Sequence, residues 1–266
     1  MTAPMTDAFT RHRADIEAAR ASGDPRQIKA AYRSLGTYLE DDTADDLDRV
    51  PVLSFGETTP VVAAEVPADA DLVLDAGCGP NPALAIALAS QAARTVIVLD
   101  IGLGTSRLAL AVAARSNVRL VAVVGDVESL PFRNAAFDAV VCDDTIEHLP
   151  DDRQGGRELS RVTRDEGTVI VATPNRRSLE VLWRKAADRS RLRRLPAAAY
   201  FAADSHLREY TPRELTSVLD ASLDVRCFAV VGWRGGRTAR WATRVVRRKP
   251  FRGFTRTIVA VAQPVR

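Results

Sequence analysis

Histidine and cysteine are scarce in this chain, with three of each in 266 residues. Cys78, Cys142 and Cys227 stand far apart with no CxxC pair, which argues against a disulfide framework or zinc site and for a reducing compartment. No metal-ligand spacing is visible, so no metal is expected. No apolar run reaches the roughly 18 residues of a membrane span. The opening MTAPMTDAFTRHRADIE has no apolar segment of the signal-peptide kind. A soluble, cytoplasmic protein is the expectation.

Lysine is rare too, so nearly all the positive charge is arginine. That charge is unevenly placed. The first two thirds of the chain carry an excess of acid, the last third is strongly basic, and no acidic residue follows Asp224. The small net charge of +3 hides this split. An anionic partner near the C-terminal part is implied.

Residues 10–48 are polar and helix-prone, with EDDTADDLD (40–48) read as a solvated loop or helix end. From 71 onward short β-branched runs take over: LVLDAG (72–77), TVIVLD (95–100), VRLVAVVGD (118–126), FDAVVCDD (137–144) and GTVIVATPN (167–175). Amphipathic or Ala/Leu-rich stretches of helical length separate most of them. That alternation predicts a parallel sheet covered on both faces. Two later runs, LDVRCFAVVG (223–232) and TRTIVAVAQ (255–263), would bring the sheet to about seven strands.

The stretch VLDAGCGPNP (73–82) runs from a strand into a glycine turn. A dinucleotide fingerprint needs a third glycine, where this chain has Pro82, so the turn is not of the NAD kind. Asn81 reads instead as the cap of a helix with Pro82 at its first position.

These residues resemble the first motif of class I S-adenosylmethionine-dependent methyltransferases, acidic-x-Gly-x-Gly, here Asp75-Ala76-Gly77-Cys78-Gly79. The other motifs follow in order: Asp100 ends strand two, GDVESLPF (125–132) follows strand three, and Glu147-His148-Leu149 follows strand four. ATPNR (172–176) and HLREYTPREL (206–215) are similar to phrases of the methyltransferase type 11, ubiquinone-biosynthesis-like subfamily. One departure stands out. After Asp100 the chain reads IGLGTSRLA, where the family more often has a serine soon after the acid.

The resemblance implies a single open, mostly parallel seven-stranded α/β sheet with helices on both faces and an antiparallel last strand. Residues 1–70 would form a helical leader acting as part of a lid. Residues 71–266 would form the methyltransferase domain, with basic insertions at about 176–205 and 233–253. The implied cofactor is S-adenosylmethionine, held by Asp75, Gly77, Gly79, Asp100, Ile101, Asp126, Val127 and Asp143. Gly77 and Gly79 would let backbone approach the ligand, Asp100 would accept from two ribose hydroxyls, and Asp126 would read the adenine amino group.

Methyl transfer to a hydroxyl benefits from a general base, usually histidine. His148 is the candidate, with Asp144 as a second catalytic candidate; the bland reading of His148 is a hydrogen bond that shapes its loop. His206 and Tyr210 are candidates for contacting substrate, or for anchoring the first insertion. His12 is expected in solvent. The acceptor would be an O or N atom of a small molecule, glycan or lipid-linked compound. Three readings of the arginine-rich insertions stay open: peripheral contact with an anionic membrane, contact with nucleic-acid phosphates, or an ordinary surface helix. They lack the repeated aromatics of a base-stacking surface, which counts against an RNA methyltransferase. A cofactor-binding protein without catalysis is the remaining alternative.

Overall fold

A computed structural model describes residues 3–43, 58–80, 82–91, 94–178, 206–219, 223–230 and 257–264. Asn81 and, apart from residues 176–178, the arginine-rich insertions lie outside the described residues. Two helices come first, α1 (Ala3–Ser22) and α2 (Pro25–Thr43), followed by the short α3 (Thr59–Glu65). Strands and helices then alternate: β1 (Leu72–Ala76), α4 (Ala83–Gln91), β2 (Thr95–Asp100), α5 (Leu103–Arg115), β3 (Val121–Val124), β4 (Phe137–Asp143), a 3-10 turn (Ile146–His148), α6 (Asp152–Val162) and β5 (Thr163–Pro174). Among the described residues, a further helix, α7 (Pro212–Val218), precedes β6 (Leu223–Val230) and β7 (Thr257–Pro264).

The seven strands form one sheet in the order β3-β2-β1-β4-β5-β7-β6. β1 to β5 run parallel, and β7 lies antiparallel between β5 and β6. The strand pattern predicts this open α/β sheet, and its order with an antiparallel β7 is the class I methyltransferase fold that the resemblance implies. The observed β3 is shorter than the expected 118–126, and β5 starts earlier than 167.

Alternation along each strand builds two cores, one per face. Val73, Val98, Val141, Ile170 and Val259 meet Leu84, Leu88, Leu108 and Val112 on one side. Leu74, Leu99, Val140, Val171 and Ile258 meet Leu159, Val162, Leu215 and Val218 on the other. Each fully buried aliphatic side chain contributes about 1.5–3 kcal/mol relative to exposure. Helix ends are satisfied by side chains: Asp151 accepts from the Gln154 N–H, and Thr211 with Glu214 forms a reciprocal capping box.

α1 and α2 pair through Ile16, Ala19, Ile28 and Ala31. α2 then crosses α5 where Gly36 and Gly104 meet with no side chain between them. The unusual IGLG after Asp100 is thereby explained: Gly104 gives α2 room to lie against the start of α5. Among the described residues, no helix is long and apolar enough to cross a membrane.

Candidate functional site

The carboxyl ends of β1, β2 and β4 open onto a cavity of about 370 Å³, the edge where open α/β sheets bind ligands. Its floor is the glycine turn. Gly77 has φ +90°, and a Cβ there would strike the side chain of Thr145, whose hydroxyl donates to the Gly77 carbonyl at 3.0 Å. Gly79 has φ +61° and nothing within 4 Å of where a Cβ would stand. Glycine alone adopts both conformations readily, and the space above Gly79 is open to a ligand.

Asp100 holds this turn together. Its two carboxylate oxygens accept from the N–H groups of Gly79, at 3.2 Å, and Gly102, at 2.9 Å. Burial still pushes its carboxyl up, against those hydrogen bonds. Asp75 is buried at the end of β1, where burial and then the Asp100 charge push it up to about 7. At the end of β4, burial, then Asp144 and Asp75, raise Asp143 well above the usual carboxylate range. The Asp143 Oδ1 atom is buried without a hydrogen bond. Among the described residues, none of these three carboxylates is paired with a basic side chain. Such a group recruits a positively charged ligand.

The far side of the cavity is formed by the loop after β3. Lys29 of α2 bridges Asp126 at 2.7 Å and Glu128 at 2.6 Å, and Asp126 also accepts from the Glu128 N–H. Arg161 donates to the carbonyls of Leu130 and Phe132, and Glu158 accepts from the Leu130 N–H. These contacts pin the Leu-Pro-Phe segment from below.

Of the expected cofactor residues, Gly77, Gly79, Asp100, Ile101, Asp126 and Val127 line the cavity. Asp144 and His148 line it too, and Asp144 has the left-handed φ of 48° that aspartate tolerates. Asp75 and Asp143 stand behind the turn, outside the lining. His206 and Tyr210 are not in the lining either. The Tyr210 hydroxyl bonds Asp152 at 2.7 Å, and Leu207 donates to the Glu147 carbonyl. This segment is sewn onto the loop after β4, which is the anchoring reading.

Lys29, Tyr32 and His12 also line the cavity, although the sequence pointed to none of them as a site residue. His12 was expected in solvent, yet it is only 6% exposed, with Nδ1 at 3.1 Å from the Ala31 carbonyl. The pairing of α1 with α2 covers it. Burial lowers its pKa from the usual histidine value. Tyr32 places its hydroxyl 3.0 Å from His148 Nδ1. Phe9, Leu35, Pro80, Ile101, Leu149 and Pro150 supply apolar lining. The cavity is mostly apolar, with a polar end at His12, Tyr32 and His148.

Behind His148, the side chains of Glu147 and His206 come close, and the ligand-capable atoms of the three lie within 4.8 Å of one another. No metal-ligand spacing in the sequence announces this group. Metal bonds of about 2.0–2.1 Å to histidine and carboxylate would require these atoms to draw closer. Thr173 donates to Glu147 Oε2 at 2.9 Å, and Glu147 Oε1 stands 3.8 Å from His206 Nε2. Glu147 and His206 are buried and His148 is half-buried, and Glu147 Oε1 is buried without a hydrogen bond. The thiols of Cys78 and Cys142 are pushed up by burial and are poor nucleophiles.

Residues 74–171 match the family model described as a methyltransferase domain, Methyltransf_11. The demethylmenaquinone methyltransferase of Mycolicibacterium vanbaalenii is 34% identical over 93 residues, 34% of this chain and 38% of that protein. That of Mycolicibacterium paratuberculosis is 28% identical over 133 residues, 49% of this chain and 55% of its own length. The chain thus spans about half, or less, of the curated relatives it matches. Among solved structures, a chain of the Haloferax volcanii complex between the Trm112 methyltransferase activator and its methyltransferase superposes with a TM-score of 0.61 at 18% identity. That match covers 85% of this chain and 97% of the other. This last likeness concerns the fold.

Proposed function

We propose, from the match of residues 74–171 to a methyltransferase domain, that the protein transfers a methyl group from S-adenosylmethionine to a small, largely apolar acceptor. The observation that carries the reading is the open glycine turn ringed by Asp75, Asp100 and Asp143 without a basic partner. S-adenosylmethionine carries an ammonium and a sulfonium, the charges such a ring favours. When bound, it supplies a methyl group already activated for displacement by an acceptor lone pair.

The protein's part is to bind, orient and exclude water. Asp100, at the end of β2, accepts from the ribose hydroxyls while keeping its bonds to the turn. Val127 and Asp126 face the adenine. The apolar wall of Phe9, Leu35 and Ile101 receives the body of the acceptor and keeps water out. His148, at the polar end, takes the proton when the acceptor is a hydroxyl. α1 and α2 close the site as the lid. The relatives named demethylmenaquinone methyltransferase support a small-molecule acceptor over a macromolecule.

The test is equilibrium binding of S-adenosylmethionine to the purified protein, followed by release of S-adenosylhomocysteine on adding candidate acceptors. Stoichiometric binding with turnover of an apolar hydroxyl compound is expected. Failure to bind S-adenosylmethionine overturns the reading.

A further inference from the structure

Only three of the 37 basic residues are lysine, and Lys29 is the one lysine among the described residues. It stands in the first half of α2, where its ammonium meets Asp126 at 2.7 Å and Glu128 at 2.6 Å. This contact spans 99 residues of sequence and joins the leader to the loop after β3. The three side chains are largely withdrawn from water, at 20%, 21% and 10% exposure. Lys29 and Asp126 both line the cavity.

Each carboxylate has a second anchor. Asp126 Oδ1 accepts from the Glu128 N–H at 2.9 Å, while Oδ2 meets Lys29. Glu128 Oε1 accepts from the Asp151 N–H at 2.8 Å, at the cap of α6, while Oε2 meets Lys29. The loop is thereby tied to the body through α6 and to the leader through Lys29. A carboxylate held at both oxygens is fixed about its last torsion, yet it keeps lone pairs for a donor arriving in the cavity. The lysine ammonium is a compact charge with three donors, suited to serving two carboxylates at once. Burial works against that charge, but the bonds to Asp126 and Glu128 outweigh it and hold the Lys29 pKa above its ordinary value. Without the ammonium, two carboxylates would be left side by side with no cation between them, which is costly away from water.

We propose that Lys29 is a positioning residue of the cofactor site: its one ammonium seats the Asp126 carboxylate for the adenine amino group and ties α2 to the loop after β3, so that cofactor binding and docking of the leader favour each other. This rests on the proposed S-adenosylmethionine site, with Asp126 as its adenine contact. The cavity lining draws on α2 through Lys29, Tyr32 and Leu35, on the glycine turn through Gly77 and Gly79, and on the loop through Asp126 and Val127. A ligand that fills the cavity meets all three, and whatever orders one of them then favours the others. A residue outside the matched segment 74–171 thereby takes part in the site.

A double-variant cycle separates positioning through Asp126 from general support of the fold. Titration calorimetry measures S-adenosylmethionine affinity for the unaltered full chain, Lys29→Met, Asp126→Asn and the combined variant. Lys29→Met is expected to weaken binding about tenfold, the effect of one lost hydrogen bond to a charged group. The combined variant is expected to bind as weakly as Asp126→Asn alone, because the two residues act as one contact. Hydrogen exchange of the free protein gives the second readout. Lys29→Met is expected to speed exchange in α2 and in residues 125–130, while β1 and β4 stay protected and report an intact fold. Glu40→Gln, further along α2 with the exposed Arg107 as its partner at 3.6 Å, is expected to leave residues 125–130 unchanged. Unchanged affinity in Lys29→Met, additive losses in the cycle, or unchanged exchange at residues 125–130 in Lys29→Met overturns the proposal. Absence of S-adenosylmethionine binding in the unaltered protein strikes the methyltransferase reading instead, and the exchange arm, which needs no cofactor, decides the tie between α2 and the loop separately.

Discussion

Gly36 of α2 and Gly104 of α5 meet backbone to backbone: a Cβ on Gly104 would stand 2.5 Å from the Gly36 carbonyl carbon. A Cβ on Gly36 would stand 2.3 Å from the Thr105 nitrogen. Neither obstacle is the end of a flexible side chain. This contact sets the N-terminal helix pair against the edge of the cavity, one turn away from Tyr32 and close to Asp100.

Gly104→Ala tests that docking. Alanine would favour the helix itself by at most about 1 kcal/mol. Overpacking against rigid backbone costs about 1–3 kcal/mol, and it should win. The expected outcome is a lower Tm and faster proteolysis within α1 and α2. An unchanged or raised Tm would mean that the two helices do not cross this closely.

Asp100→Ala should weaken S-adenosylmethionine binding by about 1–3 kcal/mol, the scale of a hydrogen bond to a charged group. It also removes the acceptor for the Gly79 and Gly102 N–H groups, so the turn should loosen. Titration calorimetry compares the two proteins. Equal affinity would take Asp100 out of the site.

Asp75 makes binding pH-dependent. Its carboxyl is raised to about 7 in the folded chain from an ordinary 3.8. Between those values the folded state holds a proton that the unfolded state has released, so this group's contribution to stability declines as pH rises through that window. A cation bound beside Asp75 favours the carboxylate and expels the proton. Affinity for S-adenosylmethionine should therefore rise with pH through the region around 7, with proton release on binding, and Asp75→Asn should flatten the dependence. Calorimetry in two buffers of different ionisation enthalpy measures the protons. Binding without proton release at pH near 7 would contradict the assignment.

His148→Ala should reduce turnover of a hydroxyl acceptor by about 10²–10⁴, the usual contribution of a general base, while S-adenosylmethionine affinity changes little. Single-turnover kinetics alongside calorimetry separates the two. Undiminished turnover would make His148 a structural residue of its loop.

The sheet was legible in the sequence because buried parallel strands are written as short β-branched runs, and TVIVLD became β2 with its expected bounds. The half of the cavity built on the glycine turn was legible for a related reason. Gly77, Gly79, Asp100 and Asp126 sit at strand ends or in the turns that follow, so local spacing carries them. The half lined by α1, α2 and His148 was not. Tyr32 and His148 are 116 residues apart, and α2 reads as an ordinary amphipathic helix whichever face meets the cavity. His12 is expected in solvent from the sequence because a polar helix hides the one face that its partner buries. The glycines of IGLG looked like a departure from the family until the structure supplied the crossing helix. The basic insertions fall outside the described residues, so the sequence readings of their partners remain proposals.

The most direct test of the central claim follows a labelled methyl group. Purified protein, methyl-labelled S-adenosylmethionine and an extract of the host organism are incubated together. The products are divided into organic-soluble, water-soluble small-molecule, nuclease-sensitive and protease-sensitive fractions. The account predicts label in the organic-soluble or small-molecule fraction, and its loss with Asp100→Ala. Label confined to the nuclease-sensitive or protease-sensitive fraction, or no label at all with the cofactor bound, would contradict it.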